Sequence, residues 1–282
     1  MTDTIAYIHR SLEEIYPRSE INSFIRLIME RVCGLPPYKL LLGKDTELSD
    51  TEKTQIQEIV ERLKNEEPLQ YILGEADFYG LLFKVTPSVL IPRPETEELV
   101  DLIIKEQLPN KERPLRLMDI GTGSGCIAVT LSKEVPRSAV TAWDISGQAL
   151  ALARENSMRL EAEVQFEQHD VIQYQPDEKA VYDAIVSNPP YVLQKEQADM
   201  ERNVLDWEPG LALFVPDDDP LLFYRRIAWL GLELLKPVGR LFFEINRAYG
   251  QPTVDMLLQA GYSAAEVKKD ISGNDRIVIA ER

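Results

Sequence analysis

The sequence predicts an α/β fold in which a doubly wound, largely parallel sheet follows a small helical bundle. Of its 282 residues, 44% are hydrophobic, which is enough for a packed core. As far as about residue 70, apolar residues recur at spacings of three and four, as on amphipathic helices. From Pro114 onward, short apolar runs alternate with amphipathic segments, which is the pattern of parallel strands joined by crossover helices.

The first part of the chain is predicted to be helical. Apolar spacing indicates helices over residues 2–16 and 20–33. Ser49 followed by Glu52 has the spacing of a capping box, in which each residue hydrogen-bonds the backbone of the other, and it predicts the start of another helix. We therefore expect residues 1–73 to form a helical bundle.

The next stretch changes in character. The run from Phe78 to Val85 is aromatic and β-branched and contains a glycine, so we expect a β-hairpin that links two domains over residues 74–90. Residues 91–282 are then expected to form the α/β domain. Its predicted strands cover residues 115–120, 139–143, 164–168, 184–187 and 240–245, and its predicted helices cover residues 125–135, 147–160, 221–235 and 253–259. A final pair of strands, around Val267 and over residues 277–280, suggests antiparallel pairing at one side of the sheet.

A glycine-rich loop joins the first predicted strand of the α/β domain to its helix. Glycines allow positive φ angles and a close approach of a ligand to the backbone, and the helix that follows presents unpaired N–H groups. Asp144 ends the next strand, where a carboxylate can accept the two hydroxyls of a ribose. Loop and acid together predict an adenosine-containing ligand, with candidate cofactor-binding residues Asp119, Gly121, Thr122, Gly123, Ser124, Gly125, Asp144 and Asn188.

The glycine spacing alone leaves the identity of that ligand open. Gly123, Gly125 and Ala128 loosely satisfy the dinucleotide pattern, so an enzyme that uses nicotinamide is an alternative. Asp119 comes just before the glycines, and a carboxylate there favours a cationic ligand over a pyrophosphate. S-adenosylmethionine has that charge and is the predicted cofactor.

The sequence Asn188-Pro189-Pro190-Tyr191 follows an apolar strand. Two prolines cannot continue a helix or a central strand, so Asn188 is expected at the carboxyl end of that strand, where ligands bind in open α/β sheets. Its amide offers an acceptor oxygen and a two-donor nitrogen, and Tyr191 adds an aromatic face, which together suit another planar amide or amine. Asn188, Pro189 and Tyr191 are the candidate catalytic residues. The same three residues and Pro190 are candidates for binding the substrate.

The block from Ile91 to Val100 has two interpretations. Prolines and acidic residues are typical of a helix start, where a missing N–H is harmless and negative charge suits the helix dipole. Alternatively, Arg93 and Glu95 line a substrate site.

Composition limits the class of protein. The net charge of −16 and a pI of about 4.7 argue against a partner that presents bare nucleic-acid backbone. Two cysteines far apart in the sequence suit a reducing compartment, and two histidines are too few for a His-rich metal site. No apolar run is long enough to span a membrane. We expect a cytoplasmic enzyme with no metal and no membrane partner.

These motifs closely resemble the HemK/PrmC family of protein-glutamine methyltransferases. The resemblance covers nearly the whole chain, through Asp-x-Gly-x-Gly-x-Gly from Asp119, Asp144, Asn-Pro-Pro-Tyr from Asn188, the block around Arg93, and the segments 68–74, 208–213 and 273–276. It implies a class I (Rossmann-like) S-adenosylmethionine-dependent methyltransferase domain, an N-terminal helical bundle that docks the substrate, and a β-hairpin linker.

The resemblance also implies a reaction. The substrate is the glutamine of the Gly-Gly-Gln loop in peptide-chain release factors, methylated on its side-chain amide nitrogen. The glycine loop, residues 121–125, would hold the methionine half of the cofactor, Asp144 its ribose, and residues 188–191 the glutamine.

Two positions depart from the family pattern, and two other functions stay open. Asn246 stands where a glycine is common, and Val171 stands where some relatives carry an aromatic residue, which leaves the packing of the adenine ring undefined. The first alternative is an adenine amino-methyltransferase that acts on flipped nucleic-acid bases, since such enzymes share Asn-Pro-Pro-Tyr. A cofactor-binding scaffold is the second alternative, but such a protein needs no acceptor like Asn188.

Overall fold

A computed structural model of the chain describes residues 1–42, 46–107, 114–177 and 179–282. Packing divides them into two units. The first unit consists of Met1–Gly74 together with Glu201–Trp207, and the second consists of Glu75–Met200 together with Glu208–Arg282. The segment 201–207 was not predicted to pack with the helical part of the chain.

The helices in chain order are α1 (Thr2–Leu12), α2 (Arg18–Cys33), α3 (Pro37–Leu42), α4 (Asp50–Lys64), α5 (Leu69–Leu73), α6 (Pro94–Leu102), α7 (Cys126–Glu134), α8 (Gly147–Arg159), α9 (Arg202–Leu205), α10 (Gly210–Leu213), α11 (Leu222–Leu234) and α12 (Gly250–Ala260). The strands are β1 (Glu75–Phe78), β2 (Leu81–Lys84), β3 (Arg116–Ile120), β4 (Ala139–Asp144), β5 (Val164–Gln168), β6 (Tyr182–Ser187), β7 (Val192–Leu193), β8 (Phe214–Val215), β9 (Leu235–Glu244), β10 (Ala264–Lys269) and β11 (Asp275–Glu281). The chain forms a π-helical turn over Ile103–Gln107 and 3₁₀ turns over Gln194–Asp199 and Arg247–Tyr249.

The first unit is built from amphipathic helices, as predicted. The capping box at the start of α4 is present: Glu52 N–H donates to Ser49 Oγ at 3.2 Å, and Ser49 N–H donates to Glu52 Oε2 at 2.6 Å. The prediction of a helix over residues 2–16 was too long, because α1 ends at Leu12 and the Tyr16 hydroxyl instead donates to the Leu63 carbonyl at 2.8 Å. The buried core of this unit includes Ile8, Leu12, Ile28, Ile56 and Val60.

The second unit contains the predicted α/β sheet. Its strand order is β10-β11-β9-β6-β3-β4-β5. The five strands from β9 to β5 pair in parallel, whereas β11 pairs antiparallel with both β9 and β10. The fold prediction is therefore confirmed. The strand order reverses at β3, which lies between β4 and β6, and ligands bind at such a reversal in open α/β sheets.

Successive strand residues pack on opposite faces of the sheet, as the pleat requires. Leu117 belongs to the core that α6 and α7 cover, and Met118 to the core that α11 and α12 cover. Phe242 and Phe243 divide in the same way. Burial on both faces fixes the register of these strands, because a slip by one residue would move every side chain to the wrong face.

The pairing of β3 with β6 positions the two main sequence motifs. Ile120 pairs with Ser187 as the two strands end, so Gly121 and Asn188 follow at the same edge of the sheet. A Cβ atom placed on Gly121 would lie 3.9 Å from the Asn188 carbonyl oxygen. The glycine loop and Asn188 are therefore direct neighbours.

A hairpin, β1 with β2, lies at the start of the second unit. Tyr79 and Gly80 form its turn with φ angles of 51° and 72°, and the Tyr79 N–H donates to Glu97 Oε1 at 2.9 Å. The two strands of the hairpin run from Glu75 to Phe78 and from Leu81 to Lys84. Asn156 of α8 pairs with Lys84 as a strand neighbour would: Lys84 N–H donates to Asn156 Oδ1 at 2.7 Å, and Asn156 Nδ2 donates to the Lys84 carbonyl at 2.9 Å.

The described residues contain neither a metal-binding cluster nor a membrane-spanning helix. Within them, no group of three or more His, Cys, Asp or Glu side chains could hold a metal ion. No helix in the same ranges combines the length and the apolar character needed to cross a bilayer.

We expect Gly125→Ala to destabilise the protein more than Gly123→Ala. Both glycines have positive φ angles, 83° and 55°, which cost a side-chain-bearing residue about 1–2 kcal/mol each. A Cβ at Gly125 would also lie 3.1 Å from Ala153 Cβ, whereas a Cβ at Gly123 meets nothing within 4 Å. The extra contact should cost Gly125→Ala about 1–3 kcal/mol more. Urea denaturation of both variants measures this difference, and equal losses would contradict it.

Candidate active site

A cavity of about 570 Å³ opens at the carboxyl edge of the sheet. Three parts of the chain surround it: the segment before and into α6, the glycine loop with the ends of β4 and β5, and the residues after β6. Of the candidate site residues, those lining the cavity are Arg93, Gly121, Thr122, Gly123, Ser124, Asp144, Asn188, Pro189 and Pro190. Asp119, Gly125, Glu95 and Tyr191 are not among the lining residues.

Asp119 lies beneath the glycine loop and is fully buried. The Thr122 hydroxyl donates to its Oδ2 at 2.6 Å, while its Oδ1 has no hydrogen-bond partner among the described residues. Burial raises the pKa of this carboxyl to about 7. The hydrogen bond from Thr122 opposes the shift, and the charge of Asp144 adds to it. Asp119 therefore acts on the cavity through Thr122 and through its charge.

Asp144 is held at the end of β4 by two backbone groups. The Gly123 N–H donates to its Oδ2 and the Ser146 N–H donates to its Oδ1, both at 2.8 Å. Burial raises the pKa of Asp144, and the N–H groups of Ser146 and Gly123 oppose that shift. Each carboxylate oxygen can accept more than one hydrogen bond, so both keep capacity for a ligand's hydroxyls.

Asn188 takes part in a short chain of hydrogen bonds. Its Nδ2 donates to Thr96 Oγ1 at 3.2 Å, and the Thr96 hydroxyl donates to Glu244 Oε2 at 2.6 Å. The described residues offer no hydrogen-bond donor to Asn188 Oδ1. Asn188 lines the cavity, and its amide oxygen keeps its capacity to accept a hydrogen bond.

Glu244 ends β9 and is fully buried. Its second oxygen, Oε1, accepts a hydrogen bond from the Tyr191 hydroxyl at 3.2 Å. Burial raises the pKa of Glu244, whereas the hydrogen bond from Thr96, the charge of Arg276 and the hydrogen bond from Tyr191 lower it. This carboxylate was missed in the sequence, although its position at the end of a parallel strand was a usable signal.

Tyr191 is held from two sides. Its hydroxyl contacts Glu244, and its carbonyl accepts from Asn246 Nδ2 at 3.3 Å. Burial and the charge of Glu244 raise the pKa of the Tyr191 phenol. Asn246, which departs from the family pattern, also donates to Glu196 Oε2 at 3.3 Å and so ties residue 191 to the loop that follows it.

Arg93 forms an ion pair with Glu208, whose side chain is fully buried. Glu208 Oε2 also accepts from the Ile91 N–H at 3.3 Å. Burial raises the pKa of Glu208, and the charge of Arg93 lowers it. Glu208 thus fixes the segment before α6, which forms one wall of the cavity. Glu95 does not line the cavity, although Arg93 and Thr96 on either side of it do, and its charge acts on Glu244 and Arg276.

The remaining wall is largely apolar. Val171 lines the cavity together with Ile145 and Ile172. Trp143 and His169 also line it, with ring centroids 4.6 Å apart. This wall suits a flat, weakly polar ring, although no aromatic residue follows Asp170.

The residues fit S-adenosylmethionine by three observations. Asp119, whose pKa is about 7, lies beneath the loop, where a bound cation would favour its charged form. Asp144 presents a carboxylate at the end of β4, and apolar residues line the cavity. These match a cation, a ribose and an adenine ring in turn.

Comparisons with known proteins show to which family the chain belongs. The model of the methyltransferase small domain matches residues 101–206, and that of the PrmC N-terminal domain matches residues 3–74. The chain is 52% identical over 282 residues to the release factor glutamine methyltransferase of Bacteroides thetaiotaomicron, with 100% of each chain covered. It is 44% identical over 270 residues to that of Flavobacterium psychrophilum, covering 95% of this chain and 94% of the relative.

A solved structure supports the fold alone. The methyltransferase from Pyrococcus furiosus superimposes with a TM-score of 0.53 at 16% identity, covering 83% of this chain and 98% of that one.

Fold and site together define a class I methyltransferase that uses S-adenosylmethionine. Within that class, the chain belongs to the family of release factor glutamine methyltransferases. The resemblance inferred from the motifs is confirmed, and the nicotinamide alternative is excluded.

We expect Asp119→Asn to change how stability depends on pH. Because the native pKa of about 7 exceeds the ordinary value of 3.8, the native carboxyl keeps its proton at pH values where the unfolded chain has lost it. Native stability therefore falls as pH rises through that interval. From pH 5 to pH 8, the wild-type free energy of unfolding should fall by roughly 2 kcal/mol relative to Asp119→Asn.

Urea denaturation at several pH values measures that difference in the ligand-free protein. Asp218→Asn, which removes an exposed carboxylate, is the matched control and should run parallel to wild type. Parallel curves for Asp119→Asn as well would contradict the assignment of this proton to Asp119.

Proposed function

We propose that this protein transfers a methyl group from S-adenosylmethionine to the side-chain amide nitrogen of the glutamine in the Gly-Gly-Gln loop of peptide-chain release factors. Membership of the family supports the substrate. The observation that carries the chemistry is the position of Asn188, whose free amide oxygen belongs to a residue on the same cavity as the glycine loop.

The cofactor site in this proposal uses the residues that the sequence indicated. Gly121, Thr122, Gly123 and Ser124 line the part of the cavity assigned to the methionine half, and Gly125 turns the backbone into α7. Asp144 would accept the ribose hydroxyls. When bound, S-adenosylmethionine supplies an electrophilic methyl group on a sulfonium.

The substrate site has to orient a weak nucleophile. An amide nitrogen donates its lone pair into the carbonyl, so it attacks poorly unless it is held in line. We assign Asn188 Oδ1 and the Pro189 carbonyl as acceptors of the two amide N–H bonds. These acceptors stabilise the positive charge that grows on the nitrogen, just as the donors of an oxyanion hole stabilise a growing negative charge.

Other residues have supporting roles in the proposal. Pro190 lines the cavity beside the amide. Tyr191 does not line the cavity and supports the residues that do, and its hydroxyl is held by Glu244. Arg93, fixed by Glu208, forms the opposite wall. Glu95 contributes charge but no contact with the cavity. The helical unit, residues 1–74, is proposed to dock the release factor, and the enzyme is expected to work in the cytoplasm, where translation supplies that substrate.

We expect purified protein with radiolabelled S-adenosylmethionine to label a release factor on the loop glutamine. A release factor with that glutamine replaced by alanine is the substrate control and should stay unlabelled. An adenine-containing DNA, single-stranded or duplex, tests the alternative of base methylation. Label in DNA but not in the release factor would overturn the proposal.

Asn188→Ala should lower kcat by at least about 100-fold, as loss of a charge-stabilising group does in other enzymes, and should raise the Kd for S-adenosylmethionine by a much smaller factor. Gln251→Ala removes an exposed carboxamide on α12 and is the matched control, expected to behave as wild type. Kinetics and calorimetric titration of both variants decide the matter, and an active Asn188→Ala would refute the role of Asn188.

A further inference from the structure

We infer that Glu244, acting through Thr96, fixes the side-chain amide of Asn188 with its oxygen towards the cavity, and that this makes the site select a carboxamide over a carboxylate. Glu244 and Thr96 are thus positioning residues for Asn188. The inference rests on the proposed function, since it concerns how the glutamine amide is recognised.

The direction of the hydrogen bonds carries the inference. A carboxylate has acceptors only, and a threonine hydroxyl has a single proton. At 2.6 Å from Glu244 Oε2, the Thr96 hydroxyl gives its proton to the carboxylate. Thr96 Oγ1 can then only accept, so the Asn188 atom that lies 3.2 Å away must be the nitrogen.

Both carboxylate oxygens of Glu244 accept hydrogen bonds from neighbouring hydroxyls. Thr96 donates to one oxygen and Tyr191 donates to the other at 3.2 Å. Burial raises the pKa of Glu244 and so disfavours the charged carboxylate, whereas the hydrogen bonds from the two hydroxyls and the charge of Arg276 lower the pKa; the charge of Glu95 raises it. The carboxylate is fully buried, so no exposed surface offers water in place of these donors.

The consequence is a choice between two ligands of almost equal shape. With Nδ2 held by Thr96, Asn188 offers an acceptor to the cavity, and an acceptor suits the NH₂ of an amide but repels a carboxylate. If Asn188 turned over, its NH₂ would face the cavity and favour a carboxylate instead. A site built to hydrogen-bond one polar group rejects the analogue that lacks it.

The test measures binding of two peptides, one with Gly-Gly-Gln and one with Gly-Gly-Glu, to the full chain saturated with S-adenosylhomocysteine. Wild type should prefer the glutamine peptide by about tenfold or more. Thr96→Val keeps the size of the side chain and removes the hydroxyl, so Asn188 is released and the preference should fall to about twofold or less. Thr96→Ser restores a hydroxyl and should restore the preference.

Glu244→Met probes the remote end of the chain of hydrogen bonds. Without the carboxylate, the Thr96 proton is free to donate to Asn188 Oδ1 and turn the amide over. Glu244→Met should therefore shift the preference towards the glutamate peptide at least as far as Thr96→Val does. Adding Glu244→Met to Thr96→Val should change nothing more, because the effect passes through Thr96.

An unchanged glutamine-to-glutamate ratio in folded Thr96→Val and Glu244→Met would overturn the inference. If wild type binds neither peptide and labels no release factor, the proposed function fails instead. The positioning can then still be tested by nitrogen NMR of the Asn188 side chain, whose signals Asn188→Ala identifies. Slow exchange of its NH₂ protons in wild type, lost in Thr96→Val, supports the inference, and equal exchange in both proteins overturns it.

Discussion

The parallel pairing of β3 with β6 brings the two halves of the reaction site together. Both strands end at the pair Ile120 and Ser187, and the next residue on each strand is Gly121 or Asn188. In the proposed reaction, the glycine loop and Asn188 are both needed to hold a methyl donor against an acceptor amide. Since Met118 and Ile185 are completely buried, the register that aligns the two strand ends is fixed by core packing far from any ligand.

Much of this arrangement could be predicted because it follows from local patterns. Apolar alternation and the glycine loop gave the parallel sheet, and two prolines after Asn188 predicted the end of β6. The roles of Thr96, Glu208 and Glu244 could not be predicted in that way. Each contacts a partner more than 90 positions away, as in the hydrogen bonds from Asn188 to Thr96 and from Thr96 to Glu244. One sequence contains no signal for such pairs.

The differences at the element ends have physical causes as well. Tyr16 was predicted to lie in a helix because its neighbours have helical spacing, yet α1 ends before it and its hydroxyl donates a hydrogen bond to the Leu63 carbonyl. The strand Glu75–Phe78 has mixed polarity, and its pairing with β2 rather than its composition makes it a strand. Tertiary contacts decided both cases.

Three buried carboxylates surround the site in a chain of net charge −16, and each is stabilised differently. Glu208 pairs with Arg93, and Glu244 accepts from two hydroxyls. Asp119 has one satisfied oxygen and one that finds no partner in the described part of the chain. Burying a carboxylate is costly unless its oxygens are satisfied. The unsatisfied one lies beneath the glycine loop, where a cationic ligand would compensate it.

Asn156 gives the β-hairpin a share in the architecture of the cofactor loop. The same amide that pairs with both backbone groups of Lys84 also donates to the Ser124 carbonyl at 2.9 Å. Fraying of the hairpin edge therefore withdraws a support from the backbone around Ser124. The hydrogen bonds of Asn156 thus tie the backbone of β2 to the backbone of the glycine loop, so a segment expected to be a linker also supports the loop that is proposed to bind the methyl donor.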